Sequence, residues 1–204
     1  MNSRIEKAIK ICLKKEDKTY SEGKEIMDIQ QVRDYTIEEP YILLRAILGS
    51  LLLAISAQIT LSFGIIPFTL QTSAVFFLAY KLKAYGASYA VLLYLLEGLC
   101  GLPVFAGFRS GAFVLFGPTG GYLWGFIPAI FVFDKCMAHS KKSFFNIFSA
   151  IILGSITQFS LGCLQLASFV GFAEAYRWGV CPFLTTEVIK VFITSGICTL
   201  SQQI

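Results

Sequence analysis

The segment TTEVIKVFITS, residues 185–195, sets a carboxylate (Glu187) three residues before an ammonium (Lys190) in an otherwise apolar stretch. Residues three apart on a helix share a face. The two groups therefore either neutralise each other as a structural ion pair or present an acceptor and a donor side by side to a ligand. An ionisable group in such a segment is costly and marks a candidate functional site. Placed near the N-terminal end of its helix, Glu187 would also gain from the helix dipole. Thr194 continues the face one turn beyond Lys190.

A second signal is the run GLPVFAGFRSGAFVLFGPTGGY, residues 101–122. It holds too much glycine and proline for a plain helix, yet apolar runs flank it. Irregular backbone at membrane depth survives only where protein buries it or where it lines a cavity, so the run predicts a pocket. Gly107, Phe108 and Arg109 lie at its centre. Gln71 in FTLQTS, Tyr89 among the tyrosines at 85, 89 and 94, and Trp178 are further candidate lining groups. Trp178 reads equally as an interfacial anchor. Most other polar residues of the apolar runs, Gln158 and Gln165 among them, read as bonds to neighbouring helices.

Several chemistries are excluded. The six cysteines show no CxxC spacing and the one histidine is His139, so neither a zinc or redox pair nor a multi-histidine metal site is expected. No GxxxxGK[ST] phosphate loop occurs, and no serine–histidine–aspartate triad can be built. A membrane-embedded acid–base enzyme would need a second matched group beside Glu97 or Glu187. Transport or binding is the better reading. The net charge of +4 is modest and points to no nucleic acid.

These groups must be positioned by membrane helices. After residue 40 the only acids are Glu97, Asp134, Glu174 and Glu187, far short of the roughly one-quarter charged content of soluble domains. Apolar runs at 41–61, 68–82, 85–101, 119–137, 144–172 and 184–204 predict an all-α integral membrane protein of six transmembrane helices. Basic residues favour the cytoplasmic side. Lys81, Lys83, Lys135, His139, Lys141 and Lys142 then lie inside with both termini cytoplasmic, and Arg109 and Arg177 lie outside near the predicted mouth. Residues 1–40 carry eight of the seventeen Lys/Arg and nine of the thirteen Asp/Glu. They read as a cytoplasmic extension, partly an amphipathic helix on the inner leaflet or a solvated tail, distinct from the membrane domain at 41–204. No signal-peptide pattern precedes residue 41.

GLPVFAG and GPTGGY, preceded by PFTLQT and LLYLLEG and followed by EVIK, resemble the BioY family, the biotin-specific S components of energy-coupling factor (ECF) transporters. The resemblance runs from about residue 42 to the C-terminus. It implies the six-helix S-component fold, biotin as transported ligand with no cofactor, and partners in a transmembrane scaffold and two ATPase subunits that use the ATP. It further implies a bacterial cytoplasmic (inner) membrane location and docking through small residues on the first helix, here Ala46, Ser50 and Ala54. Two positions depart from the family's usual pattern: Thr186-Glu187 stands where Gly-Asp is common, and Arg109 centres the glycine loop where asparagine is common. On this reading Glu187 and Lys190 complement the ureido ring, with Gln71, Gly107 and Phe108 nearby. Phe105, Phe108, Tyr89 and Trp178 would wall the bicycle and tail. Arg109 binds either the carboxylate or the ureido carbonyl, the loop N–H groups taking the carboxylate in the second case. An S component for another vitamin and a stand-alone secondary transporter are the rival readings.

Overall fold

The computed structural model describes residues 39–62, 67–138 and 140–202. Most of the expected N-terminal extension, and His139, lie outside the described residues. Among the described residues the regular elements are helices and one small ribbon, and each of the six apolar runs contributes helix.

Helix α1 covers Glu39–Gln58. It stops three residues before the end of its apolar run, because Thr60–Ser62 (β1) pairs antiparallel with Pro67–Thr69 (β2), Thr60 opposite Thr69. Pro67 opens its strand, where the missing N–H is tolerated. Helix α2, Gln71–Leu99, carries both the second and third runs and is interrupted at Lys83, with φ 57° and ψ −174°. Two short helices follow the glycine-rich loop, α3 (Ala112–Phe116) and α4 (Gly120–Trp124), and then α5 (Phe126–Ala138). Pro128 has no N–H to give the Trp124 carbonyl, and the α4–α5 break falls there. Helix α6 runs Phe144–Val170; Gly171, at φ 84°, turns the chain into α7, Phe172–Gly179. Helix α8, Cys181–Leu200, starts earlier than its apolar run, with Pro182 in the first turn, a position proline suits.

Among the described residues, α1 over Tyr41–Gln58 and α6 over Phe144–Val170 are each long and apolar enough to cross a membrane. Phe172–Leu184 and Thr186–Leu200, bent by 43°, qualify together as one broken span.

The main core joins α1, α2, α5, α6 and α8 through Leu53, Phe76, Tyr94, Phe133, Ile151 and Val191. A smaller cluster of Tyr122, Cys163, Leu166, Ala175 and Phe183 sits under α7. Packing uses small residues. A Cβ on Gly49 would lie 2.6 Å from that of Ala90, and one on Gly121 would lie 2.6 Å from the Leu161 carbonyl. Such close approach is how membrane helices gain contact without a hydrophobic driving force. The outer face of α1 is the reverse: Leu44, Ile47, Leu48, Leu51 and Ile55 are exposed.

The small-residue stripe of α1 faces inward. Ala46 and Ser50 are buried, Ala54 is half-buried, and the Ser50 hydroxyl donates to Glu97 Oε1 at 2.9 Å. At Ser50 this stripe meets α2, where a small residue permits close approach of the two helices.

Candidate functional site

A half-open cleft of about 580 Å³, its mouth included, lies where β2, the start of α2, the glycine-rich loop, α4, α6 and α8 meet. Five aromatic side chains line it: Phe105 from the loop, Tyr122 from α4, Phe126 from α5, Phe159 from α6 and Phe183 from α8. Tyr122 stacks on Phe183 at 6.4 Å between ring centroids and meets Phe159 edge-on at 5.9 Å. The Tyr122 hydroxyl donates to the Gly179 carbonyl at 2.9 Å, fixing the ring.

One side of the cleft is polar. Lys190 reaches it from α8, donating to the Thr72 hydroxyl at 3.3 Å and the Thr69 carbonyl at 3.4 Å. Behind it, Glu187 Oε2 pairs with Lys190 Nζ at 2.5 Å, and Oε1 accepts from the Ser155 hydroxyl at 3.0 Å. Glu187 is buried and Lys190 nearly so, with side-chain exposures of 8% and 14%. Ser155 and Lys190 hold the Glu187 carboxylate on α8. Gln71 extends the network: it accepts from the Thr69 hydroxyl at 3.1 Å and donates to the Tyr94 hydroxyl at 2.7 Å. Tyr94 donates in turn to the Val104 carbonyl at 3.2 Å, which brings the network to the glycine-rich loop.

That loop is a tight turn. Phe105 and Arg109 exchange backbone hydrogen bonds at 3.0 and 3.3 Å, with Gly107 and Phe108 at φ 70° and 56° between them. Gly98 leaves room for the Phe105 ring, which would overlap any Cβ there. Arg109 Nε donates to the Ala106 carbonyl at 3.0 Å, and its side chain contributes to the cleft wall.

The fold and this cleft stand beside known proteins as follows. The BioY family matches residues 27–204 of the chain.

The chain belongs to the BioY family.

The Thermotoga maritima biotin transporter BioY is 40% identical over 157 residues, covering 76% of this chain and 92% of that protein. The Lactococcus lactis biotin transporter BioY2 is 37% identical over 150 residues, covering 72% and 82%. These relatives are transporters, not enzymes. A crystal structure of the S-component for biotin from an ECF-type ABC transporter superposes with a TM-score of 0.72. It is 20% identical and the match covers 82% of this chain and 93% of that one, a likeness of fold.

In this BioY-family chain, Gln71, Arg109 and Lys190 come together on the cleft with Glu187 directly behind. Gly107 and Phe108 shape the loop turn, but Phe108 points outward and is 70% exposed. Tyr89 is half-exposed on α2 and does not line the cleft. Trp178, on α7, donates to Glu174 at 2.7 Å and lies under Arg177, also outside the cleft lining. Of the expected aromatic walls only Phe105 takes that place. Tyr122, Phe126, Phe159 and Phe183 take the rest, and Thr69 and Thr72 stand on the polar edge. The threonines stand inside the PFTLQT motif and Tyr122 inside GPTGGY, so the signal for these three was present. Phe126, Phe159 and Phe183 carry none: the first two are further aromatics in apolar runs, and Phe183 lies one residue before such a run. Gln158 and Gln165 bond the Tyr122 and Gly117 carbonyls, as packing groups do.

Proposed function

We propose that the protein is a biotin-specific S component of an ECF transporter in the bacterial cytoplasmic membrane. It captures biotin on the outer face and delivers it when coupled to a transmembrane scaffold and two ATPase subunits. The chain would cross the membrane six times, with both termini cytoplasmic. The observation that carries this reading is the composition of the cleft in a BioY-family chain: five aromatic side chains, with Lys190 on one wall and Glu187 paired to it from behind.

Biotin's two halves match that division. The ureido ring offers two N–H donors and a carbonyl acceptor. Lys190 would donate to the carbonyl, while Glu187, Thr72 and Gln71 supply acceptors close by. The flat bicycle and aliphatic tail would lie among Phe105, Tyr122, Phe159 and Phe183, where aromatic faces give apolar contact. Arg109, at the mouth, would meet the carboxylate as a planar fork. Gly107 and Phe108 act through the turn that carries Arg109. Tyr89 and Trp178 would reach the ligand only after a rearrangement, and the reading does not depend on them.

Isothermal titration of the purified protein with biotin, riboflavin, thiamine and folate tests the proposal. Biotin is expected to bind at least a hundredfold more tightly than any other, a gap of about 2.7 kcal/mol. Equal or tighter binding of another vitamin would overturn it.

A further inference from the structure

Gln58 is the last residue of α1 and does not line the cleft. Its carboxamide nevertheless engages three backbone groups of the glycine-rich loop. Nε2 donates to the Val104 carbonyl at 3.3 Å and the Phe105 carbonyl at 3.2 Å, while Oε1 accepts from the Phe108 N–H at 3.1 Å. Nε2 also lies 3.4 Å from the Ala54 carbonyl of its own helix.

The backbone held this way is the turn whose two ends carry Phe105 and Arg109, both on the cleft. Phe108, at φ 56°, sits in a region that sterics disfavour for any residue but glycine. Such a conformation persists only where surrounding contacts over-determine it. The Gln58 bond to the Phe108 N–H is one such contact, and the two bonds to the carbonyls of Val104 and Phe105 pin the other side of the turn. Only a side chain with donors and an acceptor at this length can make all three contacts. Glutamate would set a carboxylate against two carbonyl oxygens, and methionine would keep the length but make none of the bonds.

We propose that Gln58 is a positioning residue that latches the 104–109 turn over the cleft and so slows escape of the bound ligand. This rests on the biotin-binding reading above. The latch acts through Phe105 and Arg109, without touching the ligand.

The test compares the full-length protein with Gln58→Met and Gln58→Glu in lipid nanodiscs. Labelled biotin gives association and dissociation rates, hydrogen exchange reads the amides of 104–111, and ligand-free thermal unfolding reads the fold. Gln58→Met is expected to speed dissociation about tenfold and change association by less than about threefold, because changes at a binding site fall mostly on the dissociation rate. Exchange should rise in the turn alone, and the ligand-free melting temperature should hold. Gln58→Glu should be no better than Gln58→Met. Wild-type dissociation from Gln58→Met would overturn the proposal. So would a lowered melting temperature with faster exchange spread through α1 and α2, which marks a general packing role. Should the wild type bind no biotin, the ligand assignment falls by itself. Exchange in the ligand-free turn then decides the latch, unchanged protection in Gln58→Met counting against it.

Discussion

A buried ion pair contributes little net stability, because desolvating two charges offsets most of their attraction. Glu187 and Lys190 fit that rule, with each charge backed by further contacts: Ser155 for the carboxylate, Thr69 and Thr72 for the ammonium. Removing one partner leaves the other uncompensated at a cost of about 3–5 kcal/mol. Lys190→Ala and Glu187→Ala are therefore each expected to weaken biotin binding at least about tenfold in equilibrium titration. Normal affinity in both variants would mark the pair as purely structural. Ser155→Ala removes one neutral donor to a charged acceptor and should cost about 1.5–3 kcal/mol at most. Its affinity should thus fall between wild type and Glu187→Ala. A Ser155→Ala variant as weak as Glu187→Ala would move the burden of charge stabilisation from Lys190 to the serine.

Elements are positioned by glycine and alanine where two backbones meet, and this decides what a bulkier residue does. The Phe105 ring lies directly over Gly98, so Gly98→Ala must push the ring away and with it the turn that Phe105 anchors. Overpacking of this kind typically costs about 1–3 kcal/mol. The variant should lower biotin affinity while far-ultraviolet circular dichroism stays unchanged; unchanged affinity would mean Phe105 is not a working wall. Ser50 is 1% exposed and donates to Glu97 between α1 and α2. Ser50→Trp is accordingly expected to lower the melting temperature and reduce binding together, whereas Ser50→Ala should do neither strongly. A folded, binding-competent Ser50→Trp that fails only in uptake would return the stripe to a docking role. The positions of Ser50 and Tyr89 also bound what sequence can tell. Helical spacing assigns residues to a face, but in lipid the exposed face is apolar too, so spacing alone does not say which face turns inward. The charged pair and the glycine-rich loop were legible because their cost in an apolar setting needs an explanation. Phe159, Phe183 and Gln58 were not, since aromatics and a helix-end amide are ordinary in such helices.

At the scale of the whole molecule, charge sorts to the two ends of the helices. Lys81 donates to the Ser201 carbonyl at 3.0 Å, Gln202 to the Lys142 carbonyl at 3.0 Å, and Lys142 lies 5.7 Å from the Tyr80 ring centroid. These contacts gather the end of the first half of α2, the start of α6 and the end of α8 in one place. The cleft sits toward the other ends, at Gln71 where α2 begins and at Arg109. The six apolar runs and their basic loops thus gave the helical segments and this sorting. The α4–α5 break at Gly125, before Pro128, and the ribbon after α1 depend on local hydrogen-bond supply that an apolar run conceals. If basic loops face the cytoplasm, the cleft opens outward. Single cysteines in an otherwise cysteine-free background test this, one at Ser110 in the glycine-rich loop and one at Ser140 beside the basic α5–α6 connection. In intact cells a membrane-impermeant maleimide should label Ser110→Cys at once and Ser140→Cys only after permeabilisation. Both positions avoid the cleft lining and the α1–α2 contact, so biotin binding should survive in each and certify the fold being probed. The reverse labelling pattern would put the cleft on the cytoplasmic face, where it could release a ligand but not capture one from outside, and the uptake reading would fail with it.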